Sequence, residues 1–243
     1  MQEPVLEVKN VSKKSKSTRH GELQSLDFAI APGEVFTLVG MDQWERRKTV
    51  DLVSALDQPD SGEIRFKGTN LRGPDELSLN ALRGRMGFVT DPPAFLNNVR
   101  LMENLRLPLR YHSTWNTEKI DETISEILDD MNISGFNDLI PSNFSPFLLG
   151  AAALARALST MPDILILERP EEYLDRSISG ILSRLWKKYV LNHNGSILVF
   201  TGLPRLAIAV SDRIAIFSRN RITKIQDRDN YQSTLKKEDT QWK

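Results

Sequence analysis

The sequence predicts an α/β fold with a mostly parallel sheet, an antiparallel N-terminal β portion and an inserted α-helical subdomain. Two observations support this prediction. Short and uniformly apolar segments, typical of strands buried in a parallel sheet, alternate with stretches of helical periodicity. A separate region, at about residues 95–160, has a helical pattern throughout. Together these patterns are typical of a sheet domain that carries a helical subdomain.

The first forty residues alternate in polarity as paired strands do. Segments 5–11 and 23–39 are separated by a basic polar stretch, and Pro32-Gly33 marks a turn before an apolar strand at Val35–Val39. Residues 48–56 are predicted to be helical, and the turn-rich segment that follows leads into a short strand. This order predicts an antiparallel β portion that precedes the first buried strand of the main sheet.

Three further apolar segments are predicted to be strands of the main sheet. They are the sequences MGFVT, DILILE and SILVFT, which begin at residues 86, 163 and 196. Between the first two, apolar residues recur at helical spacing from Ile120 to Met131. We therefore predict a single domain over residues 1–225, a helical subdomain at about 95–160, and a polar tail at 226–243 that is helical or frayed.

Composition excludes several classes of function. The 32 basic residues balance the 32 acidic ones, so no overall field attracts nucleic acid, and we expect no nucleic-acid partner. The chain has no cysteine and only three histidines, far apart in sequence, so we expect no metal site built on them. No apolar run has the length of a membrane span and the polar start is unlike a signal peptide, so we expect a soluble intracellular protein.

The segment from Leu38 to Val53, LVGMDQWERRKTVDLV, has the strand–loop–helix layout of a phosphate-binding P-loop. The sequences on either side, LDFAIAPGEVFTLVG and ALDQPDSGEIRFKG, resemble those around the P-loop of ATP-binding cassette (ABC) transporter ATPases. Further matching segments follow in order, so the resemblance covers roughly residues 5–225. It implies a P-loop NTPase-like ABC ATPase fold.

Within that frame, the residues that would bind phosphate differ from the family pattern. Glu45 stands at the last glycine, Arg46 at the lysine and Arg47 at the serine or threonine that ligates magnesium. Arginine does not replace lysine freely, and Arg47 cannot ligate a metal. Gly40, Arg46, Arg47 and Lys48 are predicted to form at most a weak anion or nucleotide site. The alternative, a solvated first helical turn, is about equally supported.

The resemblance also assigns four catalytic positions outside the loop. Asp91 takes the place of the Q-loop glutamine, Glu168 of the Walker B aspartate and Arg169 of the catalytic glutamate, while Gly202 replaces the switch histidine. Because Arg169 stays protonated, it cannot act as a general base. We therefore predict that Arg46 and these four positions are vestigial and that the chain is not an enzyme. We expect no cofactor; ATP with magnesium is left open as an alternative but is not expected.

The same resemblance implies two partners. Ser145 and Asp175, at the signature and D-loop positions, are predicted to face a second ABC ATPase-type subunit, in a homodimer or a heterodimer. Phe95, Leu96 and Met102 are predicted to contact an integral-membrane permease. Short strings after the Q-loop and the signature position resemble the ATPases of Mla/Mce-type lipid transporters. The resemblance thus implies a cytoplasmic subunit, peripheral on the inner membrane, that serves a lipid permease as scaffold or regulator.

Two other functions remain open from the sequence. One is an active ATPase with a rewired site, in which Glu171 or Glu172 acts as base; the other is a free-standing interaction protein without a permease. The first loop also carries a structural prediction. We predict that Asp42 or Glu45 occupies the place of phosphate at the helix N-terminus, and that Arg169 pairs with one of them.

Overall fold

The structure is a computed structural model that describes residues 2–15, 21–173, 184 and 186–241. By its internal contacts the chain divides into two compact units: Met1–Pro74 with Ser196–Lys243, called here the first unit, and Asp75–Gly195, called the second unit. The strands are β1 Leu6–Lys14, β2 Glu22–Ile30, β3 Val35–Val39, β4 Ser61–Phe66, β5 Thr69–Asn70, β6 Met86–Val89, β7 Ile164–Glu168, β8 Ser196–Thr201, β9 Arg213–Ser218 and β10 Arg221–Asp227. The helices are α1 Gln43–Val53, α2 Glu76–Arg83, α3 Leu101–His112, α4 Thr117–Asp130, α5 Pro146–Ser159, α6 Pro204–Val210 and α7 Arg228–Gln241.

The first unit contains an antiparallel sheet in the order β2-β1-β4-β5. Its strands alternate buried and exposed residues, because one face packs on the interior and the other faces water. β1 pairs with β2 from Leu6 opposite Ile30 to Lys14 opposite Glu22. The predicted antiparallel N-terminal portion is therefore confirmed.

The first unit also contains part of a mixed sheet, in the order β10-β9-β3-β8. β3 runs parallel to both β8 and β9, while β10 is antiparallel to β9. All residues of β3 and β8 are buried, as the uniformly apolar sequences predict for strands covered on both faces. The α/β class with parallel strands is confirmed.

The tail predicted over residues 226–243 begins inside β10 and continues as the helix α7. Tyr231 on this helix is buried in a small apolar cluster with Val39, Ala207 and Ile214. The tail therefore contributes to the core of the first unit through one aromatic side chain, although most of its residues are polar.

The second unit combines the parallel pair β6 and β7 with the helices α2 to α5. In α4, Ile120, Ile124, Ile127 and Leu128 are buried, which matches the helical spacing seen in the sequence. α5 buries most of its length, since Ala-rich packing allows close contact with β6 and α4. Among the residues that the structure describes, no helix combines the length and apolar character needed to cross a bilayer.

One predicted element has different bounds in the structure. The sequence predicts the first helix over residues 48–56, whereas α1 starts at Gln43 and ends at Val53. The helix starts earlier because Asp42 and Glu45 form a capping box, in which each side chain accepts a hydrogen bond from the backbone N–H of the other. The prediction was wrong because both carboxylates were interpreted as part of a loop.

Candidate functional site

The loop between β3 and α1 begins at Gly40, which has a φ of +94°. A Cβ at this position would lie 2.4 Å from the carbonyl oxygen of Phe217, so a side chain would collide with the backbone of β9. Glycine is therefore required here both for its left-handed conformation and for the close approach. This sharp turn places the N-terminus of α1 directly after the buried strand.

The first turn of α1 is capped by the chain's own carboxylates. The backbone N–H of Glu45 donates to Asp42 Oδ1, and the N–H of Asp42 donates to Glu45 Oε2, both at 2.8 Å. Glu45 is only 9% exposed, and burial is the main cause that raises the pKa of its carboxyl group. The hydrogen bond from Asp42 lowers this pKa, while the Asp42 charge raises it. The predicted placement of carboxylates at this helix N-terminus is confirmed.

The three predicted basic residues of α1 have different environments. Arg46 is buried, with 6% of its surface exposed. Arg47 Nε lies 3.3 Å from Asp51 Oδ1. Lys48 Nζ lies 2.9 Å from Asp57 Oδ2 and 3.5 Å from Asp51 Oδ2. Burial lowers the pKa of Lys48, but the hydrogen bond and charge of Asp57, aided by Asp51, outweigh burial and raise it. The charges of Arg47 and Lys48 are thus engaged with carboxylates of the first unit.

Asp57 is the shared partner in this cluster. Its Oδ1 accepts a hydrogen bond from Lys13 Nζ at 2.9 Å, and its Oδ2 accepts one from Lys48 at the same distance. Burial raises the pKa of Asp57, but these hydrogen bonds, with one from the N–H of Gln58, lower it to about 2. Asp57 therefore ties β1 to α1 through two lysines.

Gly202, the switch position, follows β8 in the first unit and is exposed. The next residue, Leu203, donates its N–H to Thr201 Oγ1 at 3.0 Å, which turns the chain into α6. This hydrogen bond fixes the backbone of the turn, and it gives no evidence for a catalytic role of Gly202.

In the second unit, Glu168 ends β7 and is 2% exposed. Arg169 follows it in the left-handed region, with a φ of +45°. Its guanidinium lies 3.3 Å from Asp91 Oδ2 and also pairs with Glu172. Arg169 was predicted to pair with either Asp42 or Glu45. That prediction was wrong, because the turn after β7 aims the side chain at carboxylates of its own unit.

Ser145, one of the two predicted dimer residues, caps α5 by accepting a hydrogen bond from the N–H of Leu148 at 3.2 Å. Pro146 occupies the first helical position, where its missing N–H is harmless. Asp175, the other predicted residue, lies outside the residues that the structure describes. The dimer role of both residues stays a prediction.

The second unit has an open groove of about 510 Å³ between β6, the loop before α3, α3 itself and α5. We call it the α3–α5 groove. Phe95 and Leu96, two of the predicted permease contacts, line it, and Leu107 and Pro108 continue its apolar wall. Met102 lies on the first turn of α3, half-buried and outside the lining. The structure thus brings together two of the three predicted partner residues.

Asn104 holds the loop that forms one wall of this groove. Its Oδ1 accepts a hydrogen bond from the backbone N–H of Leu96 at 2.9 Å. Its Nδ2 donates to three backbone carbonyls at 2.9–3.2 Å, those of Leu96, Val99 and Arg100. The residue is 1% exposed, so these bonds are shielded from water. Asn104 was not predicted from the sequence, since a polar residue in a helix gives no sign of its hydrogen-bond partners.

Arg156 of α5 supplies the groove with a positive charge. Its guanidinium lies 4.5 Å from the centre of the Phe95 ring. Burial lowers the pKa of Arg156. Across the described parts of the chain, its guanidinium has no carboxylate partner. The sequence contains a sign of this role that was not used: Arg156 is the only charged residue in the apolar helical segment AAALARAL.

Comparison with known proteins shows a family match and several relatives. The family described as ABC transporter matches residues 23–171. The spermidine/putrescine import ATP-binding protein of Lawsonia intracellularis is 30% identical over 91% of this chain and 58% of its own length. The methionine import ATP-binding protein of Bifidobacterium longum is 23% identical over 93% of the chain and 58% of its own length. The chain therefore spans little more than half of these relatives.

Solved structures support the fold. A dimeric structure of a bacterial ABC transporter cassette superimposes with a TM-score of 0.83, at 22% identity, over 92% of this chain and 98% of that chain. The predicted ABC ATPase fold is confirmed by this likeness. At that identity the likeness concerns the fold alone.

The prediction that the chain is not an enzyme is wrong. It is contradicted by the family match and by the relatives, which are named as import ATP-binding proteins. The prediction relied on the identity of single residues. Substituted residues in an intact framework do not establish loss of activity. The buried carboxylate of Glu168 remains at the end of β7, and Glu171 and Glu172 follow it three and four positions later.

The nucleotide that this family implies can be tested against the first turn of α1. Phosphate groups at a helix N-terminus bind through its free backbone N–H groups. Here the N–H groups of Asp42 and Glu45 are bonded to carboxylates, and that of Arg46 donates to the carbonyl of Asp42 at 3.1 Å. In this arrangement the first turn does not accommodate a phosphate.

Proposed function

Because this chain belongs to the ABC transporter family, we propose that it is the ATP-binding and ATP-hydrolysing subunit of a transporter that imports a small solute. It acts from the cytoplasmic side on a membrane-embedded permease. The family match over residues 23–171 is the observation that carries this proposal. The α3–α5 groove supports it, since it supplies a surface on which a second protein can dock.

The names of the relatives favour a small polar solute over a lipid. They refer to polyamines, methionine and sulfate or thiosulfate, which share small size and polarity but no common charge. The lipid substrate suggested by short strings of the sequence has no support from these names. Uptake of radiolabelled polar solutes, compared with lipid extraction from vesicles by the same complex, distinguishes the two substrates.

We assign the permease contact to the α3–α5 groove. Phe95 and Leu96 offer apolar surface, and Arg156 offers a partly buried cation that has no carboxylate partner among the described residues. A partner segment that carries an acidic residue beside apolar ones matches these features, because pairing Arg156 offsets the cost of its desolvation. The occupant of the groove is therefore a short acidic and apolar segment of the permease.

Site-specific photo-crosslinking tests this contact. A photoreactive amino acid replaces Leu96, which is 51% exposed and lines the groove, and the matched control replaces Leu139, which is 47% exposed and outside the groove lining. We expect the Leu96 variant alone to crosslink to a protein with membrane-spanning helices. A crosslink only to a protein without such helices would favour a free-standing interaction protein, and equal yields from both positions would refute the groove assignment.

Measurement of ATP turnover tests the enzymatic part of the proposal. The complete complex in detergent should release phosphate from ATP, and Glu168→Gln should reduce the rate strongly because it removes the buried carboxylate that ends β7. Glu118→Gln, at an exposed position of α4, serves as the control and should leave the rate unchanged. The absence of turnover in the intact complex would overturn the proposal.

We also propose that the subunit works as one of a pair of ABC ATPase-type subunits. The family match supports a pair, and solved structures of similar fold are described as dimeric. Native mass spectrometry of the complex distinguishes two copies of this chain from one copy beside a different subunit. A single ABC ATPase-type subunit per complex would refute the pair.

A further inference from the structure

The first turn of α1 already holds two negative groups at the place where a nucleotide phosphate would accept its hydrogen bonds. The side-chain carboxylates of Asp42 and Glu45 each accept a hydrogen bond from the backbone N–H of the other residue, at 2.8 Å. A carboxylate at a helix N-terminus interacts favourably with the helix dipole for the same reason as a phosphate does. The chain therefore provides its own anion at this helix end.

Glu45 is the more deeply placed of the two carboxylates. Glu45 is 9% exposed, whereas Asp42 is exposed to solvent. Glu45 also occupies the third residue of the helix, so its side chain folds back over the N-terminus instead of pointing along the helix axis. The N–H of Asp42 donates to Glu45, so a phosphate could accept a hydrogen bond from it only after the Glu45 side chain had turned away.

Two of the three basic residues that follow the cap are held by carboxylates elsewhere in the first unit. Arg47 is paired with Asp51, and Lys48 is paired with Asp57 and Asp51. An incoming phosphate would therefore meet two carboxylates, while the side chains of Arg47 and Lys48 are held by other partners. Like charges at such short range repel strongly where water is partly excluded.

We propose that the Glu45 side chain competes with the nucleotide phosphates for the N-terminus of α1. This side chain must be displaced before nucleotide binds to the first unit. This inference rests on the proposed function and adds a control on the affinity of the same site. The closed form is the one in the structure. In the open form the Glu45 side chain leaves the N-terminus, Asp42 keeps its bond to the N–H of Glu45, and the N–H of Asp42 becomes free.

Isothermal titration of ATP with magnesium into the full chain tests this proposal. The variant Glu45→Ala removes the competing side chain, and Glu45→Gln keeps an acceptor for the N–H of Asp42 while it removes the charge. Glu63→Ala, in β4 of the same unit, is the matched control. We expect Glu45→Ala to bind ATP at least about tenfold more tightly than the parent, Glu45→Gln to lie between them, and Glu63→Ala to equal the parent.

The outcomes separate this inference from the proposed function. If the parent binds ATP and both Glu45 variants bind it with the parent's affinity, Glu45 is not a competitor and the inference is refuted, while the function stands. If folded parent and variants all fail to bind ATP at millimolar concentration, the ATP-binding function itself is refuted, and the inference with it. Circular dichroism confirms the fold, and Glu45→Gln keeps the test valid if Glu45→Ala is unstable.

Discussion

The replacement Asp57→Asn tests how far one partly buried ion-pair cluster stabilises the first unit. Asp57 accepts hydrogen bonds from Lys13 of β1 and Lys48 of α1, so it connects two elements that are distant in sequence. Asparagine has nearly the same shape but no charge. The replacement therefore removes both ion pairs and leaves the packing of the turn almost unchanged.

The size of the effect follows from the pKa of Asp57. This pKa is lowered from 3.8 to about 2. Since one pKa unit corresponds to about 1.4 kcal/mol, the upper limit of the stabilisation is about 2.5 kcal/mol. The side chain is 31% exposed, and solvent screening reduces the contribution. We expect Asp57→Asn to lower the free energy of unfolding by about 1–2 kcal/mol at pH 7.

The dependence on pH identifies the ion pairs as the cause. Because the pKa of Asp57 is lower in the folded state, its stabilising contribution is complete above pH 3.8 and is lost as the pH falls through about 2. The difference in unfolding free energy between parent and variant should therefore be constant from pH 7 to about pH 5. It should shrink toward zero as the pH is lowered from about 4 to 2.

Urea unfolding at a series of pH values measures this difference. Asp138→Asn is the control, because Asp138 is largely exposed and pairs with Arg100 at 3.3 Å on the surface of the second unit. We expect the control to change the unfolding free energy by less than about 0.5 kcal/mol. An effect of Asp57→Asn that is as small as that of the control, or that persists unchanged at pH 2, would refute the reasoning.

Three further features are tested by replacement. Asn104→Ala removes four hydrogen bonds of a buried side chain and should cost about 1–3 kcal/mol, measured by urea unfolding; unchanged stability would show that the loop before α3 does not need this side chain. Gly40→Ala should prevent stable folding, whereas Gly33→Ala, also at positive φ but with open space around it, should cost only about 1 kcal/mol of backbone strain. Equal melting temperatures for the two would contradict the collision argument. Arg213→Lys should cost about 1–3 kcal/mol because an ammonium group cannot make the two parallel hydrogen bonds that the guanidinium donates to Glu34. A thermal melt equal to that of the parent would exclude this contribution.

The strands of the main sheet could be predicted because burial on both faces requires uniformly apolar sequence. β3, β7 and β8 each show this pattern, and all three lie where the pattern predicts. The start of α1 could not be predicted from apolar spacing, since the capping box consists of polar residues. An acidic residue followed three positions later by glutamate is itself a helix-start signal, and the loop interpretation of these residues concealed it.

The candidate site was harder to predict than the fold. The candidate residues in the loops were predicted from their positions in motifs that resemble those of the family. The partners of these residues depend on the direction of each side chain, which the sequence does not give. Arg169 pairs with Asp91 and Glu172 because its backbone turns into the left-handed region directly after β7. Asn104 and Arg156 contribute to the α3–α5 groove through contacts distant in sequence. Sequence spacing carries no information about such contacts.

The position of β3 has a consequence for how the protein is made. Its neighbours in the sheet are β8 and β9, whose residues begin at Ser196. During synthesis from the N-terminus, this apolar strand leaves the ribosome long before either neighbour exists, and the whole second unit is translated in between. Unpaired apolar strands associate readily with one another. The nascent chain therefore passes through a prolonged stage in which β3 depends on chaperones or on the antiparallel hairpin beside it in sequence to prevent aggregation.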